Sequence, residues 1–528
     1  MLSERTIING LLLLGGMILG PYLIILTLGA NPYAILAFGG FVFFFWIFLF
    51  VRDRISIFPV IASYFSGTLN FLPLGLTPVE VASLTAILYY LVNYVALKRR
   101  PFILGSPYFL FPMLVTGAIV AYHNQAMGLR VLGSGNEGSR PGLLILVSIV
   151  TYFFCINIPS PSAIFLNRVP LYCCGLALLG SIPFLLTTYF PSLAPSLYYI
   201  SGNVNLTAYI QSVSGTEGGD VSRNGALAGI GSTLASVFIC YFPITTWWHP
   251  KRWILIILFS LCFYCVLLSG FRNLFLGFLM FTVLATFCYT RWRILFLLPL
   301  LAILPLTIIV VQNDHLAGIV LPDSVQRSMS FLPGNWDKSV IESADASNDF
   351  RHNIARLYKS EYMAKSPWIG NGFTFNPSEP DGLAAMATTR GVSDPEYYVT
   401  KAFLVSKNFH IGWISLYDAV GIIGGIAFVL LNITMVWTSI CFIFKKGALG
   451  APLFPLKVWV FCNLTSGLIG FFTTFGSYSQ SFIGMCGFCI LLFHIDRLEQ
   501  QDTFVISPST HIPPVPPGPT RTFSPAGA

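Results

Sequence analysis

The chain has 528 residues, of which 55% are hydrophobic and only 9% are charged, and its mean hydropathy is +0.74. Soluble globular chains carry roughly 25% charged residues, and beyond about 250–300 residues they divide into domains and add polar surface, so this composition excludes a water-soluble protein. The formal net charge of +8 does not predict nucleic-acid binding, because the basic residues stand in twos and threes between apolar runs, as topology signals do.

The apolar runs predict an all-α integral membrane protein. The first run, near Ile7 to Leu28, is long and has no small-residue cleavage site after it, so it predicts a retained span rather than a signal peptide. A helix needs about 20 apolar residues to cross the hydrocarbon core. On that rule about 12–14 helices cross the membrane, and the fourteen candidates begin near residues 8, 33, 55, 79, 102, 143, 170, 226, 254, 273, 294, 416, 455 and 478. The candidates at 55–75 and 143–157 are interrupted or short.

Short basic loops predict the orientation of these spans. If the spans alternate in direction, six basic loops fall on one side: Arg52 and Arg54, Lys98 to Arg100, Arg168, Lys251 and Arg252, Arg291 and Arg293, and Lys445 and Lys446. The positive-inside rule makes that side cytoplasmic. Both termini are then predicted to lie inside.

The opposite side receives one segment that is too long for a plain connector. It runs from about Gln312 to His410 and carries about two fifths of the charged side chains, and long loops of this kind are usually functional. The predicted organisation is therefore a transmembrane bundle over 1–311, a large periplasmic loop over 312–412, transmembrane helices over 413–497 and a disordered Pro-rich cytoplasmic tail over 498–528.

Two arginines of the loop side are candidates for anion binding. Arg223 precedes one predicted span, and Arg272 stands in the tight turn between two others. Guanidinium groups bind phosphate oxygens in a bidentate manner, so a pair at the membrane edge suits a phosphate or diphosphate. The alternative is that these side chains only anchor helix ends. The spans themselves are nearly free of ionisable residues, which argues against a proton-coupled transporter or ion pump.

His410 lies where the predicted loop re-enters the membrane. A neutral imidazole at this level can accept a proton from an acceptor hydroxyl, although a single interfacial histidine can also be structural. All eleven cysteines fall inside predicted spans, where packing is the expected role. They predict neither a disulfide framework nor a metal site.

The order of these motifs resembles the bacterial O-antigen ligase and O-antigen polymerase superfamily. Members of that family have an Arg in the long loop followed about 15 residues later by Pro-x-x-Gly-x-Gly, and Arg351 is followed here by Pro367, Gly370 and Gly372. The family then has a His-Asn pair with Gly-x-x-Gly eleven residues on, and His410 is followed by Gly421 and Gly424. The chain departs from that pattern at Ile411, where the family has Asn.

The resemblance implies a membrane glycosyltransferase with a GT-C-like helical architecture in the bacterial cytoplasmic (inner) membrane. The donor would be a glycan on undecaprenyl diphosphate, and the acceptor a hydroxyl of a glycan, of lipid A-core or of another molecule, with neither nucleotide sugar, cofactor nor metal. Carried over by motif, Arg223 and Arg272 would hold the diphosphate and His410 would activate the acceptor hydroxyl at the periplasmic face. Arg351 would be a further donor contact or would position the loop.

Two other classes of function stay open at this point. A flippase or exporter of lipid-linked glycans would be expected to need charge inside the spans, where charge is scarce. A scaffold protein would leave the arginines and the histidine at membrane level unexplained. Ligase, repeat-unit polymerase and protein O-glycosylating enzyme share these motifs, so the sequence does not separate them.

Overall fold

The structure of the chain is a computed structural model. It describes residues 52–72, 75–92, 102–124, 140–206, 208, 224–247, 249–291, 306–310, 312, 321–363, 365–373, 378–387, 394–407, 409, 411–473 and 476–506. These residues are overwhelmingly helical and contain no strand, so the all-α prediction is confirmed for them.

The described α-helices are named here in chain order. They are α1 Phe58–Ala62, α2 Pro78–Tyr90, α3 Pro107–Asn124, α4 Arg140–Asn157, α5 Ala163–Asn167, α6 Val169–Tyr189, α7 Ala194–Tyr198, α8 Gly225–Tyr241, α9 Trp253–Leu268, α10 Arg272–Thr290, α11 Asp323–Met329, α12 Lys338–Glu361, α13 Ser378–Ala387, α14 Pro395–Val405, α15 Gly412–Phe444, α16 Phe454–Thr473 and α17 Tyr478–Ile506.

Among the described residues, seven helical segments are long and apolar enough to cross a membrane, as in a multi-pass membrane protein. They are Arg140–Asn157, Val169–Tyr189, Pro250–Leu268, Arg272–Thr290, Gly412–Phe444, Phe454–Thr473 and Tyr478–Gln501. Each coincides with a predicted span. The predicted spans near 79, 102 and 226 correspond to α2, α3 and α8, which are not among the seven. The predicted spans that begin near 8, 33 and 294 lie wholly or mostly outside the described residues. The described part thus has fewer such helices than the predicted 12–14.

The basic loops meet at one end of the helical bundle, which we call the basic end. The residues assigned to it are Arg54, Arg168, Lys251, Arg252, Arg291 and Lys445. The Arg54 guanidinium lies 5.2 Å from the centre of the Phe165 ring, close in sequence to Arg168. Tyr241, the last residue of α8, donates its hydroxyl to the Asn167 carbonyl at the end of α5. The Arg291 guanidinium donates to the Ile443 carbonyl at 2.9 Å. This clustering agrees with the predicted alternation of spans, while Lys98 to Arg100 and Arg293 lie outside the described residues.

The candidate span at 55–75, which the sequence marks as interrupted, is not a continuous helix. The chain goes from Arg54 at the basic end to Asn70, whose side chain donates to the Tyr198 carbonyl at 2.6 Å near the opposite end. A 3₁₀ helix over Arg52–Ile57 and the five-residue α1 cover only part of this path. Gly67 adopts a φ of +101°, a conformation that an α-helix does not contain, so the segment crosses in an interrupted form.

The polar lobe consists of α11 to α14 and stands at the other end of the bundle, which we call the lobe end. Its longest helix, α12, buries Val340, Ala344, Ile354 and Tyr358, and i, i+4 spacing within each pair places them on one face. Helix α14 packs on it through Phe350 and Phe403, whose ring centroids are 5.0 Å apart. The lobe is thus a packed helical unit within the segment predicted as the large loop.

A break in α15 joins the lobe to the bundle. Gly421 interrupts the helix with φ +64° and ψ −163°, and the amides that follow donate to the preceding loop: Ile422 to Pro367 at 2.9 Å and Ile423 to Trp368 at 3.0 Å. Gly370 approaches the break so closely that an added Cβ would lie 2.6 Å from the Asp418 carbonyl oxygen. The Pro-x-x-Gly-x-Gly and Gly-x-x-Gly motifs therefore form one backbone joint.

We expect Gly370→Ala to destabilise the protein by about 1–3 kcal/mol, because it adds left-handed strain at φ +75° as well as a backbone clash. The midpoint of thermal unfolding in detergent measures this change. Gly484→Ala is the matched control, since its Cβ meets nothing within 4 Å in α17 and a helical Gly→Ala change favours folding by up to about 1 kcal/mol. Equal midpoints for the two variants would contradict the joint.

Candidate functional site

Arg272 links the bundle to the lobe. The turn before it contains Gly270 at φ +72°, and α10 begins at Arg272 with no side-chain cap on its first turn. The Arg272 guanidinium donates to the Ala344 carbonyl at 3.0 Å and to the Asn348 side-chain oxygen at 3.1 Å, both on α12. The side chain therefore extends from the end of the bundle along the lobe helix rather than toward the middle of the bundle.

Arg327 is a second arginine at this junction, and the sequence interpretation missed it. It lies on α11 with only 3% of its surface exposed. Its guanidinium donates to the Ser343 carbonyl at 3.2 Å and to the Ser347 hydroxyl at 3.1 Å. The signal in the sequence is that Arg327 is the single Lys or Arg between Arg293 and Lys338.

One cavity of about 190 Å³ brings Arg272, Arg327 and Arg351 together. Its other lining residues are Gly270, Phe271, Asn273, Leu276, Phe331, Ser347 and Thr473, so none of its described lining residues is acidic. Arginine keeps its charge at any physiological pH. The uncapped N-terminal turn of α10 adds backbone N–H groups and the positive end of a helix dipole. We call this the arginine cavity, and its chemistry is that of an anion site.

A second cavity of about 300 Å³ shares Arg351 and Thr473 with the arginine cavity. Its remaining lining residues are Asn348, His352, Ile411, Gly412, Trp413, Phe471 and Phe472. Aromatic rings beside amide, imidazole and hydroxyl groups give surfaces that are apolar on one side and hydrogen-bonding on the other. We call it the aromatic cavity. His352 places an imidazole here that the sequence interpretation gave no role.

A third cavity of about 330 Å³ lies between α8, α10 and α16. Small and hydroxyl-bearing residues line much of it, and these hydroxyls are satisfied within their own helices: Ser232 donates to Ala228, Thr282 to Phe278 and Ser466 to Cys462. Because these three hydroxyls are already paired, they can face an apolar guest without being left as unpaired donors. This crevice shares Asn273 with the arginine cavity and Phe471 with the aromatic cavity.

Of the four residues predicted for the site, the structure brings Arg272 and Arg351 together. Arg223 and His410 lie outside the described residues, so their roles stay predictions. Their described neighbours can be placed: the amide of Asn224 donates to the Ser269 carbonyl at 3.1 Å, in the turn that leads to Arg272, and Ile411 lines the aromatic cavity.

Asp418 organises the polar side of the joint and was also missed. Its side chain is 2% exposed and pairs with the Lys407 ammonium at 2.5 Å. Burial, followed by the charge of Asp418 and its hydrogen bond, raises the pKa of Tyr358 above its usual value, so the Tyr358 hydroxyl stays protonated and donates to Asp418 at 3.3 Å. The signal in the sequence is an acidic residue inside a run otherwise apolar enough to span a membrane.

The described residues contain no metal-binding cluster, and no sequence relative indicates a function. Within the described ranges no three His, Cys, Asp or Glu side chains are grouped so that they could hold a metal ion. No protein-family model matches the chain, and no curated protein is similar enough in sequence to match it. The functional argument therefore rests on the geometry of the site and on the motif order.

We expect inorganic pyrophosphate to raise the unfolding midpoint of the purified protein, because a ligand at 100 times its Kd stabilises by about 2.7 kcal/mol. Arg272→Gln or Arg351→Gln should reduce this shift by more than half. Arg356→Gln is the matched control, since Arg356 lies on the same helix as Arg351 but is exposed and bonded to Asn353. The same shift in all variants would show that the anion binds elsewhere.

Proposed function

We propose that the protein is a membrane glycosyltransferase that transfers a glycan from an undecaprenyl-diphosphate donor to an acceptor hydroxyl, as O-antigen ligases and polymerases do. The observation that carries the proposal is the arginine cavity, where guanidinium groups from α10, α11 and α12 face one space at the lobe end of the bundle. A site of this charge at the end of an apolar bundle suits an anionic headgroup on a lipid.

The charges of the cavity match the bond that would break. When the glycosidic bond to the diphosphate cleaves, negative charge builds on the departing oxygen, and fixed cations lower the barrier where that charge develops. Each charge-assisted hydrogen bond contributes roughly 1.5–3 kcal/mol. Several arginine contacts can therefore supply a substantial part of the rate enhancement without a metal.

The three adjoining cavities also match the three parts of such a donor. The crevice between α8, α10 and α16 would take the first isoprene units, the arginine cavity the diphosphate, and the aromatic cavity the sugar beside the acceptor. The order follows from the shared lining residues. A donor bound in this way keeps most of its tail in lipid while the anomeric carbon faces the lobe.

The proposed roles of the residues follow the motif order. Arg272 and Arg223 hold the diphosphate, and Arg351, which lines both the arginine and the aromatic cavity, contacts the diphosphate or the first sugar. His410 accepts the proton of the acceptor hydroxyl as that oxygen attacks the anomeric carbon and inverts it. The proposed setting is the bacterial inner membrane with the basic end cytoplasmic and the lobe periplasmic, in a GT-C-like bundle.

In a deletion strain, wild-type protein should restore long-chain surface glycan, and Arg272→Ala or His410→Ala should not, although both variants should insert at normal levels. Removal of one preorganised oxyanion contact lowers the rate by roughly 10²–10³, which is enough to remove the long-chain bands from the glycan ladder. Arg356→Ala, outside the cavities, should complement. Normal ladders from both Arg272→Ala and His410→Ala would overturn the site. If His352→Ala abolishes long-chain glycan while His410→Ala is fully active, the base is His352.

The deletion strain also distinguishes the enzyme from a flippase or exporter. A transferase predicts that the lipid-linked donor accumulates on the outer leaflet, where a periplasmically applied glycosidase or lectin reaches it. Accumulation on the cytoplasmic leaflet would favour the flippase. Surface glycan with a single repeat indicates a polymerase, whereas full-length polymer that stays on its lipid carrier indicates a ligase.

A further inference from the structure

We propose that the ion pair between the partly exposed Lys407 and the buried Asp418 is a latch that positions the chain on both sides of His410 for transfer. This inference rests on the proposed function, because it assigns positioning residues to the same site. Neither residue lines any of the three cavities described above, so both would act through the chain around His410 and not by touching substrate.

Asp418 accepts hydrogen bonds from three other parts of the chain. It sits in the first turns of α15, before the break at Gly421, and is 1% exposed. Its carboxylate accepts from the Lys407 ammonium at 2.5 Å, from the Asn371 side chain at 2.8 Å and from the Tyr358 hydroxyl at 3.3 Å. Its backbone carbonyl also accepts the Asn371 amide at 2.5 Å. The lobe helix α12, the loop 365–373 and the turn at Lys407 thus meet α15 at one carboxylate.

Lys407 is held in a conformation that few non-glycine residues adopt. Its φ is +59°, in the left-handed region that is uncommon for a lysine, and its amide donates to the Leu404 carbonyl at 3.1 Å. This conformation turns the chain at the end of α14 while the ammonium reaches Asp418. A strained conformation of this kind persists only where its surroundings determine it.

The residues on both sides of His410 are fixed by the same arrangement. Phe409 is buried and its ring centroid lies 5.8 Å from that of Tyr358, which itself donates to Asp418. Ile411 precedes α15 and lines the aromatic cavity. The two neighbours of His410 are thus placed, Phe409 in a buried aromatic cluster and Ile411 at the wall of the aromatic cavity.

An ion pair with a buried partner adds little net stability, since desolvation of the buried charge offsets much of the attraction. Packed apolar side chains often replace such pairs without loss of stability. The pair instead orients the chain, because the carboxylate holds the ammonium and two further donors in one geometry. Alignment of a catalytic group to within about 1 Å is worth on the order of 100-fold in rate.

The test compares variants of the full-length protein in lipid vesicles that contain undecaprenyl-diphosphate-linked glycan and an acceptor glycan. The variants are Asp418→Asn, Lys407→Met and Lys407→Arg. Lys401→Met is the matched control, because Lys401 pairs with Glu361 at 3.3 Å elsewhere in the lobe. Three quantities are measured: kcat with KM for the donor, the pyrophosphate-induced shift of the unfolding midpoint, and hydrogen–deuterium exchange of the peptide that covers 406–411.

The latch predicts that Asp418→Asn and Lys407→Met lower kcat on the order of 100-fold. The donor KM and the pyrophosphate-induced shift of the unfolding midpoint should stay within about threefold of wild type, because the arginine cavity is intact. Exchange of 406–411 should rise in both variants. Lys407→Arg should recover most of the lost rate, and Lys401→Met should keep wild-type kcat and wild-type exchange of 406–411. If Asp418→Asn does not fold, the two Lys407 variants carry the same comparison.

Either of two results overturns the latch: kcat within about threefold of wild type in Lys407→Met, or unchanged exchange of 406–411 in that variant. Its failure is separable from failure of the proposed function. If Arg272→Gln transfers glycan as fast as wild type, or if wild type transfers none, the proposed function fails. The exchange comparison between Lys407→Met and Lys401→Met still decides the latch in that case.

Discussion

The placement of the site depends on one backbone constraint at the break in α15. A helix that unwinds at a membrane edge leaves N–H groups without intrahelical partners, and such groups are costly away from water. The carbonyls of Pro367 and Trp368 accept the amides of Ile422 and Ile423, so the break can persist only with the loop docked. Because that loop follows α12 directly, the same hydrogen bonds set the height and angle of the lobe above the bundle.

The arginine cavity is a consequence of that docking. Arg351 belongs to the lobe and Arg272 to the bundle, so neither segment alone forms the site. Bringing like charges together costs free energy, which the structure offsets with oxygen acceptors such as the Ala344 carbonyl and the Ser347 hydroxyl. An anionic headgroup would relieve the same repulsion. The charge arrangement is therefore better suited to binding an anion than to stabilising the protein without one.

The predictability of each feature depended on the range of the interaction behind it. The apolar runs behind α15, α16 and α17 are local and long, so these spans were predictable. The interruption at 55–75 was also visible in the sequence, but the path of the chain through Gly67 depends on contacts with distant helices. Arg272 and Arg351 could be singled out because they stand in short motifs. Arg327 could not, since its role arises only when α11 packs beside α12. Asp418 was missed because the residues around it in the sequence are apolar, so it was read as part of a span.

The most direct measurement is a structure of the full-length protein in a lipid bilayer with undecaprenyl diphosphate bound. The account predicts that the two phosphates lie within hydrogen-bonding distance of Arg272, Arg327 and Arg351, with the isoprene chain leaving through the crevice between α8, α10 and α16 and with His410 beside the aromatic cavity. A diphosphate bound at the basic end, or a His410 side chain remote from the arginines, would contradict it.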